Sequence, residues 1–175
     1  GVNFMGESAK LLNPDKKILI PDIESGCAMA DMVNLDDLDG IKERYDDVAI
    51  VSYINTKADV KSKSDVCVTS SNAMKIVSGL PNKNIYFLPD RNLGRYIADK
   101  LQDKNFIFHE GYCKYHNFVD YEEVRALKEK YAYDVLVHPE CTSEVVSLGD
   151  CVGSTKALLD YVEKTKKAGY IVCTE

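Results

Sequence analysis

The residues of this chain that could do chemistry sit where apolar runs end. In "VLVHPECTSEVVSLGDCVGST" (Val135 to Thr155) a strand-like run empties into His138, Pro139 and Glu140. Side chains at i and i+2 of an extended segment share a face. The imidazole and the carboxylate therefore point one way together, and the proline between them stiffens the backbone. The same argument pairs Tyr53 with Asn55 in "VSYINTKADVKSKSDVCVTSSNA". Taken singly, a histidine at a strand end is also the ordinary hydrogen-bonded surface histidine.

A second kind of exit is rich in hydroxyls. "TSSN" (Thr69 to Asn72) and "GST" (Gly153 to Thr155) stand at strand-to-helix turns. Free backbone N–H groups, the helix dipole and the hydroxyls of Ser70, Ser154 and Thr155 suit a carboxylate or a phosphate there. Plain helix N-capping accounts for the same residues. The six cysteines divide by position. Cys67, Cys151 and Cys173 lie inside apolar runs and read as small core residues. Cys27 follows Ser25-Gly26 at a strand exit, and Cys113 lies in "HEGYCKYH" just past another. Both are loop positions at the same end of their sheets, within reach of a metal. No pair has CxxC spacing, which argues against a zinc ribbon, and a disulfide framework does not suit so core-rich a chain.

The polar exits recur. Tyr53 and His138 lie 85 positions apart, as do Asn55 and Glu140, and Asp65 and Asp150. After a one-residue deletion Ser70 falls on Ser154 and Ser71 on Thr155. A second match lays "IPDIESGCAMAD" over "LPDRNLGRYIAD", with Asp22 on Asp90 and Gly26 on Gly94, 68 positions apart. Repeated αβ units of 85 residues follow, and the chain is expected to begin inside one unit and to stop inside another.

The elements that must hold these residues alternate. Short continuous apolar runs predict strands over Lys17 to Asp22, Val48 to Tyr53, Asp65 to Thr69, Asn84 to Asp90, Asn105 to Glu110, Asp134 to His138, Asp150 to Gly153 and Tyr170 to Thr174. Their composition predicts parallel strands buried on both faces. Helices are predicted over Asn72 to Ser78, Leu93 to Leu101, Tyr121 to Tyr131 and Lys156 to Ala168. "GVNFMGESAKLLNP" reads as a helix already in progress, and Lys57 to Asp65 as a solvated helix face. The fold class is α/β, with repeated three-layer αβα units carrying short parallel sheets around a central site. Ligands of such sheets bind beyond the carboxyl ends of the strands.

Composition bounds the partners. Of 175 residues, 45% are hydrophobic and 29% charged, ordinary values for a globular chain. A formal net charge of -6 disfavours a nucleic-acid partner. No apolar run is long enough to span a membrane.

The stretches "LIPDIESGCAMADMV", "YINTKADVKSKSDVCVTSSNA", "FLPDRNLGRYIADK", "HEGYCKYH", "HPECTSEVVSLGDCVGST" and "YIVCTE" together resemble quinolinate synthase, the iron–sulfur enzyme family of de novo NAD biosynthesis. The resemblance runs through the chain in order. It implies three pseudo-equivalent αβα domains around one cavity, here residues 1–28, 29–112 and 113–175, the first and third incomplete. It implies a cytoplasmic transferase that condenses iminoaspartate (iminosuccinate) with dihydroxyacetone phosphate, losing phosphate and water, and an L-aspartate oxidase or dehydrogenase as upstream supplier. It implies a 4Fe-4S cluster held by three cysteines, of which Cys27 and Cys113 resemble two. The third is expected beyond Glu175, so the chain alone is expected to hold a cluster poorly. Tyr53 and Asn55 resemble the substrate-contacting pair of the second domain, and His138 and Glu140 that of the third. Glu140 resembles the proton-transfer group, with Tyr53 and His138 beside it. Ser70, Ser154 and Thr155 resemble hydroxyls that hold substrate carboxylate or phosphate. His116, close to the cluster motif, is given a supporting role. Two other readings remain: a non-catalytic α/β anion-binding module with structural cysteines, and a zinc-dependent lyase or aldolase.

Overall fold

The computed structural model describes residues 1–174; Glu175, which closes "YIVCTE", lies outside them. Two parallel sheets carry the fold. In the first, β1 (Val48–Tyr53), β2 (Val66–Val68), β3 (Asn84–Leu88) and β4 (Asn105–Phe108) lie in the order β2-β1-β3-β4. In the second, β5 (Asp134–Val137), β6 (Cys151–Val152) and β7 (Tyr170–Cys173) lie in the order β6-β5-β7. Every named pairing is parallel. Helices alternate with the strands, so the class is α/β with three-layer units.

The 85-residue repeat is visible in the backbone. The Asp65 carboxylate accepts the Ile50 N–H at 2.8 Å, and the Asp65 N–H donates to the Ile50 carbonyl at 2.9 Å. Asp150 repeats both bonds on Val135, each at 2.9 Å. In each sheet an aspartate just before the incoming strand, β2 or β6, thus clamps that strand to β1 or β5 and fixes the register of the pair. Equal register places Tyr53 and His138 at equivalent tips.

The helices start where their sequences dictate. Asp90 caps α5 (Arg91–Ala98) by accepting the Leu93 N–H at 2.7 Å. Asp120 caps α7 (Tyr121–Tyr131) through the Glu123 N–H, and acidic Glu122 and Glu123 sit in its first turn with Lys128 and Lys130 in its last. Ser154 caps α9 (Thr155–Thr165) through the Ala157 N–H at 3.3 Å. Gly94 lets α5 lie close on the sheet: a Cβ there would stand 2.9 Å from the Phe108 ring and 3.0 Å from Phe87.

Four expectations need correction. Lys17 to Asp22 is extended but is no strand. No strand among the described residues lies beside it, so it runs along α1 (Asn3–Leu12), where the Ile20 side chain closes on Gly6 and Leu19 is left exposed. The 68-residue match does not carry structure: Asp90 is fully buried at a helix start, whereas Asp22 is exposed and accepts the Glu24 N–H within a turn. Burial on both faces holds for β1, β3 and β5 but not for edge strands, since Val172 of β7 is 58% exposed. Of the three cysteines read as core residues, Cys173 is buried, while Cys67 and Cys151 sit half-exposed on edge strands. Lys57 to Asp65 does form a helix, α3 (Ala58–Ser62), though Val60 anchors it in the core.

The paired clamps generate a prediction. Asp65→Ala and Asp150→Ala each leave a strand N–H without its acceptor and should each cost about 1–3 kcal/mol. Urea unfolding should show similar losses for both; a loss at one site only would mean that the two clamps are not equivalent.

Candidate functional site

The site grows from the carboxyl ends of β1, β3, β4 and β5. Past β4 the chain turns toward Cys113 over a loop that is hydrogen-bonded along its length. The His109 N–H donates to the Phe87 carbonyl, the Gly111 N–H to His109 Nδ1, and the Arg91 N–H to the Gly111 carbonyl. The Cys113 N–H donates to Asp90 Oδ2 at 2.9 Å. Gly111 is required there, because a Cβ would stand 2.7 Å from the Pro89 carbonyl oxygen. Cys113 then opens the short helix α6 (Lys114–Asn117), which aims His116 inward.

Four buried groups meet. Cys113, His116 and Glu140 each offer a ligand atom, and these atoms lie within 4.8 Å of one another. The His116 and His138 rings stack with centroids 4.8 Å apart. His116 Nδ1 lies 3.1 Å from Glu140 Oε2, and His138 Nδ1 lies 3.8 Å from Oε1. The first of these pairs is close, yet Nδ1 is a buried polar atom without an aligned hydrogen-bond partner among the described residues. Nε2 of the same ring lies 2.9 Å from Thr174 Oγ1. The Asn92 amide donates to the Glu140 carbonyl at 2.9 Å and ties α5 of the first sheet to the loop of the second.

Electrostatics follow from burial. Burial pushes the Glu140 carboxyl up, yet His116, His138 and Tyr53 outweigh it and hold the group below its usual range. Burial opposes a charge on His116, but Cys113 and Glu140 raise it to about 10. His138 moves the other way, lowered by burial and by the His116 charge despite Glu140. Its Nδ1 also accepts the Glu140 N–H at 3.4 Å, as a neutral ring does. Tyr53 is held far above its ordinary value by burial and by Glu140, with the Ser70 hydroxyl working against both. Asp90 rises to about 7, through burial first and Glu140 second.

Cys27 and Cys113 line one cavity of about 560 Å³ together with Asn55 and Met29. Burial raises the Cys27 thiol, and the neighbouring backbone of Ala30 and Met29 works against that rise. Two thiols on one cavity fit two positions of an iron–sulfur cluster. Neither Cys141 nor Cys173 lines that cavity; both are packed in the core of the second sheet. Cys141 is held up near 12 by burial.

Of the residues singled out in the sequence, Cys27, Cys113, Tyr53, Asn55, Ser70, His138 and Glu140 gather here, with His116 at the centre rather than the margin. Ser154 and Thr155 do not: Ser154 is engaged as a helix cap, and Thr155 is exposed. Asp90, Asn92 and Thr174 escaped the reading of the sequence as site residues. Asp90 carried a visible signal, an acidic residue directly before a helix; Asn92 and Thr174 act by tertiary contact and carried none.

Parallel strands with thiol, imidazole and carboxylate gathered at their tips define an α/β protein built around a metal-capable polar centre. The family model described as "Quinolinate synthetase A protein" matches residues 1–175. The chain is 52% identical over 176 aligned residues to a quinolinate synthase of Clostridioides difficile (strain 630), covering 100% of this chain and 58% of that protein. It is 49% identical to one from Caldicellulosiruptor saccharolyticus and 47% to one from Fusobacterium nucleatum, covering 58% and 59% of their lengths. The chain belongs to the quinolinate synthase family, and it spans somewhat over half the length of these relatives.

The histidine pair yields a test in metal-free protein. A folded value for His116 raised from 6.5 to about 10 contributes stability that is complete below pH 6.5 and is lost as pH rises toward 10. Glu140→Gln should lower the imidazole midpoint read by NMR and flatten the stability profile between those limits. An unchanged midpoint would show that Glu140 does not hold the charge.

Proposed function

We propose that this sequence forms part of a quinolinate synthase. In this reading residues 1–28, 29–112 and 113–175 belong to three successive αβα domains, and the tips of the two sheets face the reacting centre. The proposal rests chiefly on one observation: Cys27 and Cys113 line a common cavity beside the buried Cys113, His116 and Glu140 group. Membership of the family supports it.

The substrates are then iminoaspartate and dihydroxyacetone phosphate, both anionic, and the product quinolinate forms with loss of phosphate and water. Cys27 and Cys113 supply two thiolates to a 4Fe-4S cluster, and a third ligand comes from elsewhere in the protein. When bound, the cluster would supply a Lewis acid for loss of water. The chain's own groups supply the rest. Glu140 lies against two imidazoles and the Tyr53 hydroxyl, so it can take a proton from a carbon acid and pass it on. His138, neutral and stacked on His116, can accept the proton that Glu140 has taken up and, once protonated, return it. The Asn55 amide and the Ser70 hydroxyl offer donors to a carboxylate or phosphate, and burial of the centre limits competing hydrolysis. Ser154 and Thr155 retain the assigned role of anion-holding hydroxyls only if substrate reaches the start of α9. The enzyme is placed in the cytoplasm, with an L-aspartate oxidase or dehydrogenase supplying the unstable imine. No helix is long and apolar enough to cross a membrane among the described residues.

A second reading has one observation in its favour. A thiol, an imidazole and a carboxylate within 4.8 Å are also a donor set that zinc accepts with a position left open. Anaerobic reconstitution of the full-length gene product separates the two. The cluster reading expects iron and sulfide with visible charge-transfer absorbance, lost in Cys27→Ser and Cys113→Ser. Glu140→Gln and Tyr53→Phe should keep the cluster and lower kcat for quinolinate formation by about 10²–10⁴-fold. Zinc without iron in the purified protein, and no quinolinate from the two substrates, would favour the lyase.

A further inference from the structure

We infer that Asp90 is a positioning residue for the Cys113 thiolate, a single buried carboxylate that sets one cluster ligand against the start of a helix. The inference rests on the cluster reading above. Asp90 is fully buried, and its two oxygens are divided between two elements. Oδ1 accepts the Leu93 N–H at 2.7 Å and caps α5. Oδ2 accepts the Cys113 N–H at 2.9 Å. The backbone reinforces the tie, because Asp90 and Gly111 form a parallel bridge and the Arg91 N–H donates to the Gly111 carbonyl at 2.9 Å.

A helix cap alone does not need this arrangement. Asp120 caps its helix from an exposed position and Ser154 from a part-buried one, and neither ties its cap to a distant loop. At Asp90 the cap is buried, and the second oxygen is spent on a residue 23 positions away. Taking a carboxylate wholly out of water is unfavourable, and only specific partners offset it. The partner chosen here is the amide of the one buried cysteine that faces the cavity. Asp90 also ends the peptide that follows β3, the central neighbour of β1, so the position of Cys113 is referred to the sheet that carries Tyr53 and Asn55. Asn92, two residues on, holds the Glu140 carbonyl. The first turn of α5 thereby fixes a thiol on one side and the buried carboxylate on the other.

Two variants of the full-length gene product test this. Asp90→Asn keeps the shape and the cap but turns a donor toward the Cys113 N–H. Asp90→Ser keeps a capping oxygen and is too short to reach Cys113. Both should reconstitute with iron and sulfide, yet release iron to a ferrous chelator about 10-fold or more faster than the parent. The EPR signal of the reduced cluster should change in shape, while the metal-free protein still folds, its melting temperature lowered only as far as the loss of one buried hydrogen bond requires. A wild-type release rate and an unaltered EPR signal in both variants would overturn the inference while leaving the cluster reading intact. Failure of both to fold would overturn it as well, since Asp90 would then hold the fold rather than the thiol. If the parent itself takes up no iron, the cluster reading fails instead, and that result is seen before any variant is made.

Discussion

A carboxylate buried beneath the surface is the constraint on which this structure turns. Glu140 is 3% exposed, and an ion so placed without partners would simply take up a proton. It is kept low by a cationic imidazole at 3.1 Å, a second imidazole and a phenol. Each of those partners must come from a different element. His116 arrives on α6, Tyr53 at the tip of β1, His138 at the tip of β5, and the backbone of the residue itself is held by Asn92 from α5. Holding the charge therefore requires the two sheets to meet at their tips. The polar centre and the junction between the sheets are one feature.

The repeat explains how one backbone serves two chemistries. The clamps at Asp65 and Asp150 make the same pair of bonds, so β1 and β5 deliver their tips in the same way. What differs is the cargo. The first tip presents a phenol and an amide, groups that donate hydrogen bonds and stay neutral near pH 7. The second presents an imidazole and a carboxylate, groups that trade protons. Neutral donors on one side and proton carriers on the other give a site that can both hold anions and move protons.

The legibility of the sequence follows the range of the interactions. Central strands were plain because β1, β3 and β5 are continuous apolar runs, and α7 ran from Tyr121 to Tyr131 as its cap and charge bias indicate. Lys17 to Asp22 has the same local composition as a strand but has no strand beside it among the described residues, and pairing is not a local property. The match of Asp22 with Asp90 failed for a related reason: the letters agree, but only Asp90 has a helix behind it and a loop to hold. At the site, residues at strand tips were readable from the i, i+2 rule and the repeat. His116 was not placed at the centre, because its role depends on a helix of four residues bringing it against Glu140. Ser154 and Thr155 look like Ser70 in sequence, yet only Ser70 has the Tyr53 phenol to act on.

The unsatisfied nitrogen of His116 points to what the centre is arranged for. Nδ1 lies near Glu140 but out of line with it, while Nε2 is held by Thr174. In a centre selected for stability alone, a small rotation of the ring would gain a well-aligned bond to a charged partner, an interaction of about 1.5–3 kcal/mol. The stacking on His138 at 4.8 Å and the bond to Thr174 hold the ring away from that optimum. Misalignment maintained by two other contacts keeps the edge of the imidazole turned toward Cys113 and Glu140 together. With the ligand atoms of Cys113, His116 and Glu140 within 4.8 Å of one another and Nδ1 not committed to an aligned bond among the described residues, the three form a donor set that an occupant could join.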